Sequence, residues 1–156
     1  MKADFINPFL DATLEVLNKM AFVKANNTKP FLKDTLGTYG AVTGIIGMAG
    51  EDVQGTMVLS FSEPCIIKIV SNMLYEEFDS IDDTIVDAVG ELTNMISGGA
   101  KRRLAEKNYQ FEMAIPSMVT GSGVQIYHQS SGRAVVIPFT IPEGEFWVEA
   151  CLQHTS

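Results

Sequence analysis

The chain is expected to adopt an α+β fold: an antiparallel sheet with long helices on one face, built from a helix-hairpin unit that occurs twice. Three observations predict it. The motif Asp-x3-Glu-x2-Asn occurs as Asp11, Glu15, Asn18 and again, 76 residues later, as Asp87, Glu91, Asn94, each time within a segment of helical periodicity. Each helical segment is followed by alternating runs with strand character. At nearly the same displacement, a hairpin ending Val58-Leu59-Ser60-Phe61 is echoed by one ending Val136-Ile137-Pro138-Phe139. A repeated order of helix then hairpin implies a duplicated unit with pseudo-twofold symmetry, and antiparallel strands with helices on one face follow from it. Residues 1–156 read as one domain, large enough to bury roughly 70% of its unfolded surface without staples.

The first helix is expected over 6–22, with Asn7 as N-cap, Pro8 at the first helical position and Phe9, Val16, Leu17 and Met20 on its apolar side. Strand runs follow at Phe31 to Leu36, Tyr39 to Ala49 and Gly55 to Phe61, with Gly50-Glu51-Asp52 as a hairpin turn. Ser62 caps a second helix that tolerates Pro64 early and ends near Phe78. The second motif helix runs from about Ser80, its candidate N-cap, to Lys107, with a bend or the close approach of another backbone at Gly98-Gly99. Phe111 to Met118, Gly123 to Ser130, Ala134 to Pro142 and Glu145 to Gln153 supply the remaining strands, as a meander with turns at Ser130 to Arg133 and at Glu143-Gly144.

Net charge is −8 and the pI near 4.6, so there is no basic field to displace counterions from a nucleic-acid backbone. An acidic surface suits a basic or mixed-charge protein partner. The one basic cluster, Lys101-Arg102-Arg103, lies where cations complement the C-terminal end of a helix dipole and reads as structural. Cys65 and Cys151 read as buried, reduced thiols, which points to the cytoplasm. Asp4 and Asp11 interrupt the stretch a signal peptide would need to be apolar, and no apolar run approaches membrane-spanning length.

Within each motif copy the three polar side chains fall inside roughly 60° on a helix, a single narrow stripe. Around the second copy, Ile85, Val89, Leu92 and Ile96 gather on the opposite face. Asp83, Asp87 and Glu91 follow one another at i, i+4, where like charges repel. The helix dipole excuses acids in the first turn only. A solvated amphipathic face would explain either copy taken singly, whereas the matched pair points to a site. Glycines 40, 44, 47 and 50 do not make a dinucleotide fingerprint, and no glycine loop leads into a phosphate-binding lysine. His128 and His154, the only histidines, lack ligand-spaced partners, which argues against zinc and against a histidine-activated nucleophile. Trp147 reads as core or as an interface anchor.

An asparagine amide does not titrate, so its catalytic use is orientation: it accepts a hydrogen bond from a water and donates another. Phosphoryl transfer is a reaction in which positioning suffices, provided charge is neutralised elsewhere. Glu91 would repel a phosphoryl group, so phosphate and metal would have to sit on a partner, with Glu91 pairing to a partner lysine while Asn94 reaches in.

The doubled motif, the continuation Asn94-Met95-Ile96-Ser97-Gly98-Gly99-Ala100-Lys101, the opening Phe5-Ile6-Asn7-Pro8-Phe9 and the duplicated layout resemble the CheC/CheX/FliY family of chemotaxis phosphatases over nearly the whole chain, and its CheX branch most. The resemblance implies an enzyme, a hydrolase of the aspartyl phosphate on a phosphorylated CheY-type response regulator. Glu91 would contact the regulator's lysine and Asn94 would position water, with Asp87 and Asp11 supporting. It also implies homodimers formed through the sheets and no cofactor on this chain, with Mg2+ on the partner. CheX-like chains usually keep one functional motif. Lys19 follows Asn18 where Met95 follows Asn94, and the Gly-Gly-Ala-Lys continuation is missing after the first copy. Glu91 and Asn94 are therefore expected to be the active pair, with Glu15 and Asn18 either a second site or a relic of duplication. The alternative from another class is a non-catalytic adaptor that binds a receiver domain without hydrolysing its phosphate.

Overall fold

A computed structural model of the chain describes residues 3–51, 53–127 and 133–154. In order these form α1 (Ala3–Ala21), β1 (Asn26–Asn27), β2 (Phe31–Leu32), β3 (Val42–Ala49), β4 (Val53–Phe61), α2 (Glu63–Leu74), α3 (Asp83–Ala105), β5 (Glu112–Met113), β6 (Ser117–Thr120), β7 (Val135–Ile141) and β8 (Gly144–His154). The strands make one sheet in the order β1-β7-β8-β4-β3-β5, with β2 also on β7 and β6 also on β3, and every pairing is antiparallel. Alternation along the strands sends Met57, Leu59 and Phe61 of β4 and Phe146, Val148 and Ala150 of β8 into one core with Phe9, Leu17, Ile69, Val89 and Leu92 of the helices. Stacked Phe139, Phe146 and Phe61 run through its middle, with centroids 4.7 and 5.2 Å apart.

The order α1, β1/β2, β3, β4 recurs as α3, β5/β6, β7, β8. β4 and β8 pair at the centre over Val53↔His154 to Phe61↔Phe146, with β3 and β7 outside them. Each half lends its short strands to the other half's hairpin, β1 and β2 to β7, β5 and β6 to β3. The carboxyl half is therefore not a meander. The two tetrapeptides that look like an echo are not equivalent either: Val58 to Phe61 lies on central β4, whereas Val136 to Phe139 lies on β7, the counterpart of β3. Both are apolar strand segments, and that is all their likeness reflects.

Several boundaries differ from expectation for local physical reasons. α1 begins at Ala3, and Pro8 sits inside it instead of following an Asn7 cap. The lost backbone hydrogen bond is offset by burying Phe5, whose ring lies 4.7 Å from that of Tyr109. α2 stops at Leu74, with Tyr75 in the left-handed region at φ 55 and its N–H donating to the Ser71 carbonyl. Glu76 and Glu77 would oppose the negative end of the helix dipole and so discourage continuation to Phe78. Ser62 occupies the N-cap position, but its hydroxyl accepts from the Glu145 N–H at 3.2 Å instead of capping the helix. Asp82, not Ser80, caps α3, its carboxylate accepting from the Ile85 N–H at 2.9 Å. Pro116 separates β5 from β6 where one strand was expected, and Phe31 to Leu36 contributes only Phe31–Leu32. Of the run expected from Gly123, the described part forms only a bridge between Gln125 and Gly37. Asp52, His128 and most of the turn from Ser130 to Arg133 lie outside the described residues.

Residues 33–41 lie over the sheet face opposite the helices. There the buried Lys33 ammonium meets the buried Glu149 carboxylate at 2.8 Å, Tyr39 stacks on Trp147 at 5.5 Å, and Thr43 and Ser60 share a hydrogen bond. Trp147 is thus a packing residue of this face. Among the described residues no helix is long and apolar enough to cross a membrane.

Candidate functional site on the long helix

α3 is held to the sheet on one side and to α1 on another, which fixes what its third side presents. Ile85, Val89, Leu92 and Ile96 are fully buried, as their spacing requires. Thr93 is buried too, and its hydroxyl donates to the Val89 carbonyl at 2.7 Å. Beneath it lies Gly44 of β3, where an added Cβ would stand 2.1 Å from the Thr93 hydroxyl. Nearly two turns later Gly99 meets Ala12 of α1, with 3.0 Å between an added Cβ and the Ala12 methyl. The glycine pair therefore serves close approach: α3 runs uninterrupted through it, and only Gly99 makes the contact.

The opposite side of α3 carries Asp83, Asp87, Glu91 and Asn94, all exposed. Among the described residues neither the Glu91 carboxylate nor the Asn94 carboxamide makes a hydrogen bond or ion pair. Asn94 stands between two grooves. One, of about 540 Å³, runs between α3, the end of α2 and β6, and is lined by Met73, Leu74, Asp87, Glu91, Pro116 and Met118. The other, of about 450 Å³, runs between α3 and α1, and is lined by Val16, Lys19, Met95, Gly98 and Arg102. The walls from α2 and β6 could not be foreseen, because the chain brings them to α3 from distant positions without any local pattern.

The first motif copy has a different electrostatic setting. Asp11 and Asn18 are exposed, but Glu15 is engaged inside the molecule: Lys19 lies 3.1 Å away, Arg102 3.9 Å, and Arg103 donates a short hydrogen bond to it. The hydrogen bond from Lys19, followed by that from Arg103, holds its carboxyl below the usual glutamate range. Arg103 also donates to the Gly99 carbonyl at 3.1 Å, and Lys101 pairs with Glu112 at 3.3 Å. The basic cluster therefore fastens α3 to its neighbours, as its structural reading anticipates. Chemically, the second copy offers an unsatisfied carboxylate for an incoming cation and an unsatisfied amide for a water. The first copy offers only an amide, beside a carboxylate already neutralised.

One antiparallel sheet shared by the two halves, two motif helices side by side on it and, among the described residues, an unengaged carboxylate-carboxamide pair on one of them define a protein of the CheC-like phosphatase class. The comparisons agree. A CheC-like superfamily protein from Shewanella sp. PV-4 superposes with a TM-score of 0.92 at 43% identity, covering 98% of this chain and 99% of its own. A CheX from Borrelia burgdorferi, solved as a CheX-CheY-BeF3-Mg2+ complex, superposes with a TM-score of 0.81 at 28% identity over 97% of this chain and 99% of its own. The CheY-P phosphatase CheX of Thermotoga maritima is 24% identical over 142 residues, 90% of each chain. Residues 42–140 match the chemotaxis phosphatase CheX family, and the chain belongs to that family. The matched span includes Asp87, Glu91 and Asn94, and begins after Asp11, Glu15 and Asn18.

Proposed function

We propose that this chain accelerates hydrolysis of the aspartyl phosphate of a CheY-type response regulator, with Glu91 and Asn94 of α3 as the catalytic pair. The observation that carries the assignment is that both side chains are exposed and, among the described residues, without hydrogen-bond or ion-pair partners on a helix otherwise fastened on its remaining sides. On docking, the Glu91 carboxylate pairs with a lysine of the receiver and sets the depth and rotation of α3. The Asn94 carboxamide then hydrogen-bonds a water in line with the scissile bond. Water oxygen bonds to phosphorus as the bond from phosphorus to the aspartyl oxygen breaks, giving inorganic phosphate and the receiver's free carboxylate. Asparagine neither gains nor loses a proton, so its contribution is positional. Charge on the phosphoryl group is neutralised from the receiver's side by Mg2+, an ion also present in the Borrelia CheX-CheY complex. Asp87 and the acids before it supply an attractive field for the approaching lysine.

On this reading the first copy has a structural task, Glu15 serving as the anchor for Arg103. The whole chain acts as one domain in the cytoplasm, a setting that suits the buried thiols of Cys65 and Cys151. Two copies pair through their sheets, where the exposed Ile115 and Tyr127 border an apolar recess with Ile45. The direct test is the decay of the acyl phosphate on a CheY-type receiver with and without the chain. Acceleration by wild type, and loss of receiver binding in Glu91→Lys, are expected. Binding with an unchanged decay rate would make the chain an adaptor and overturn the proposal.

A further inference from the structure

Along the exposed side of α3 the catalytic amide has a glycine one turn before it and another one turn after it. Gly90 and Gly98 are at i−4 and i+4 from Asn94, within about 40° of it around the helix on either side. Glycine is a poor residue for a helix interior, so each position calls for a reason. The fold supplies reasons for other glycines: a Cβ at Gly44 would strike Thr93, and one at Gly99 would press on Ala12. It supplies none here. Among the described residues, a Cβ at Gly98 would meet nothing within 4 Å, and one at Gly90 would meet only the Met118 sulfur at 3.6 Å, an ordinary contact. Both glycines have ordinary negative φ, so no left-handed turn demands them.

We infer that Gly90 and Gly98 are positioning residues for the reaction, keeping the helix surface on both sides of Asn94 bare so that the receiver can close onto the α3 backbone. The inference rests on the assignment of Glu91 and Asn94 given above. Asparagine is a short side chain, and its amide can reach an acyl phosphate recessed in another protein only if the helix itself comes close. Both grooves beside Asn94 include one of these glycines in their lining, Gly90 on the α2 and β6 side and Gly98 on the α1 side. A methyl group at either place adds about 1.5 Å, one carbon-carbon bond, between the helix and whatever rests on it. A misplacement of about 1 Å at a reacting centre can cost on the order of 10²-fold in rate.

The test uses the full chain with single Gly90→Ala and Gly98→Ala substitutions. Thermal unfolding and the kinetics of phosphate release from a phosphorylated CheY-type receiver are measured alongside Gly99→Ala and Asn94→Ala. The expected result is a melting temperature equal to or above wild type for Gly90→Ala and Gly98→Ala, with kcat/KM reduced tenfold or more, on the order of 10²-fold at most. Gly99→Ala should instead lose stability. A role confined to the fold would move stability down, the opposite direction. Wild-type rates in both alanine variants, with Asn94→Ala impaired, would overturn the clearance role and leave the Glu91-Asn94 assignment standing. Lowered melting temperatures in both would also overturn it. No acceleration by wild type would overturn the assignment and the clearance role together.

Discussion

The seat of α3 on the sheet is the mechanical link between fold and site, and Gly44→Ala tests it. An added Cβ would lie 2.1 Å from the Thr93 hydroxyl, 3.1 Å from its Cβ and 3.3 Å from its Cγ2. Rotating Thr93 would move the hydroxyl but leave its Cβ at 3.1 Å, still inside the roughly 3.5 Å at which ordinary carbon contacts begin. Its hydroxyl is also committed to the Val89 carbonyl. α3 must therefore give way at Thr93, the residue next to Asn94. Overpacking of this kind costs about 1–3 kcal/mol, and at about 2–4 °C per kcal/mol for a chain of this size the melting temperature should fall by roughly 2–12 °C. If the displacement reaches the amide, phosphate release should fall by up to about 10²-fold. Urea denaturation and receiver dephosphorylation read the two effects. Thr93→Ala in the Gly44→Ala background removes the hydroxyl and the methyl, so part of both losses should return, with a coupling energy of about 0.5–3 kcal/mol. Wild-type stability and rate in Gly44→Ala, or strictly additive effects in the double variant, would refute the reasoning.

Two further predictions concern the ion pairs. Lys33→Met deprives the buried Glu149 of its lysine and should cost about 3–5 kcal/mol in denaturant unfolding, much of it regained in Lys33→Met with Glu149→Leu; a loss below about 1 kcal/mol would contradict this. Glu15 has a depressed folded pKa, so the stability it contributes is present above its unfolded value and lost as pH falls through the folded one. Glu15→Gln should therefore lower the melting temperature at pH 7 and have little effect at strongly acid pH, and an equal loss at both would show that the contribution is not ionic.

The central features of the fold were legible because they are periodic. Ile85, Val89, Leu92 and Ile96 specify the buried side of α3 and hence the exposure of Glu91 and Asn94, and the strand pattern in residues 55–61 and 145–153 locates the central strands to within two residues at each end. Where the reading failed, the deciding interaction is remote in sequence or depends on a backbone state. Phe5 extends α1 through Pro8 because Tyr109 is there to receive it, and Tyr75 ends α2 in a left-handed conformation that glycine usually takes. The exchange of β1 and β2 for β5 and β6 between the halves leaves no trace in local pattern. At the site, the engagement of Glu15 joins residue 15 to residue 103, so two copies identical in motif differ in electrostatic setting through a contact remote in sequence.

The most direct measurement is single-turnover hydrolysis of a phosphorylated CheY-type receiver at saturating concentrations of wild type, Asn94→Ala and Asn18→Ala, with receiver binding measured for each. The account predicts that Asn94→Ala binds but loses about 10²-fold in rate, the scale of a lost positioning group, while Asn18→Ala matches wild type. Undiminished turnover in Asn94→Ala would contradict it.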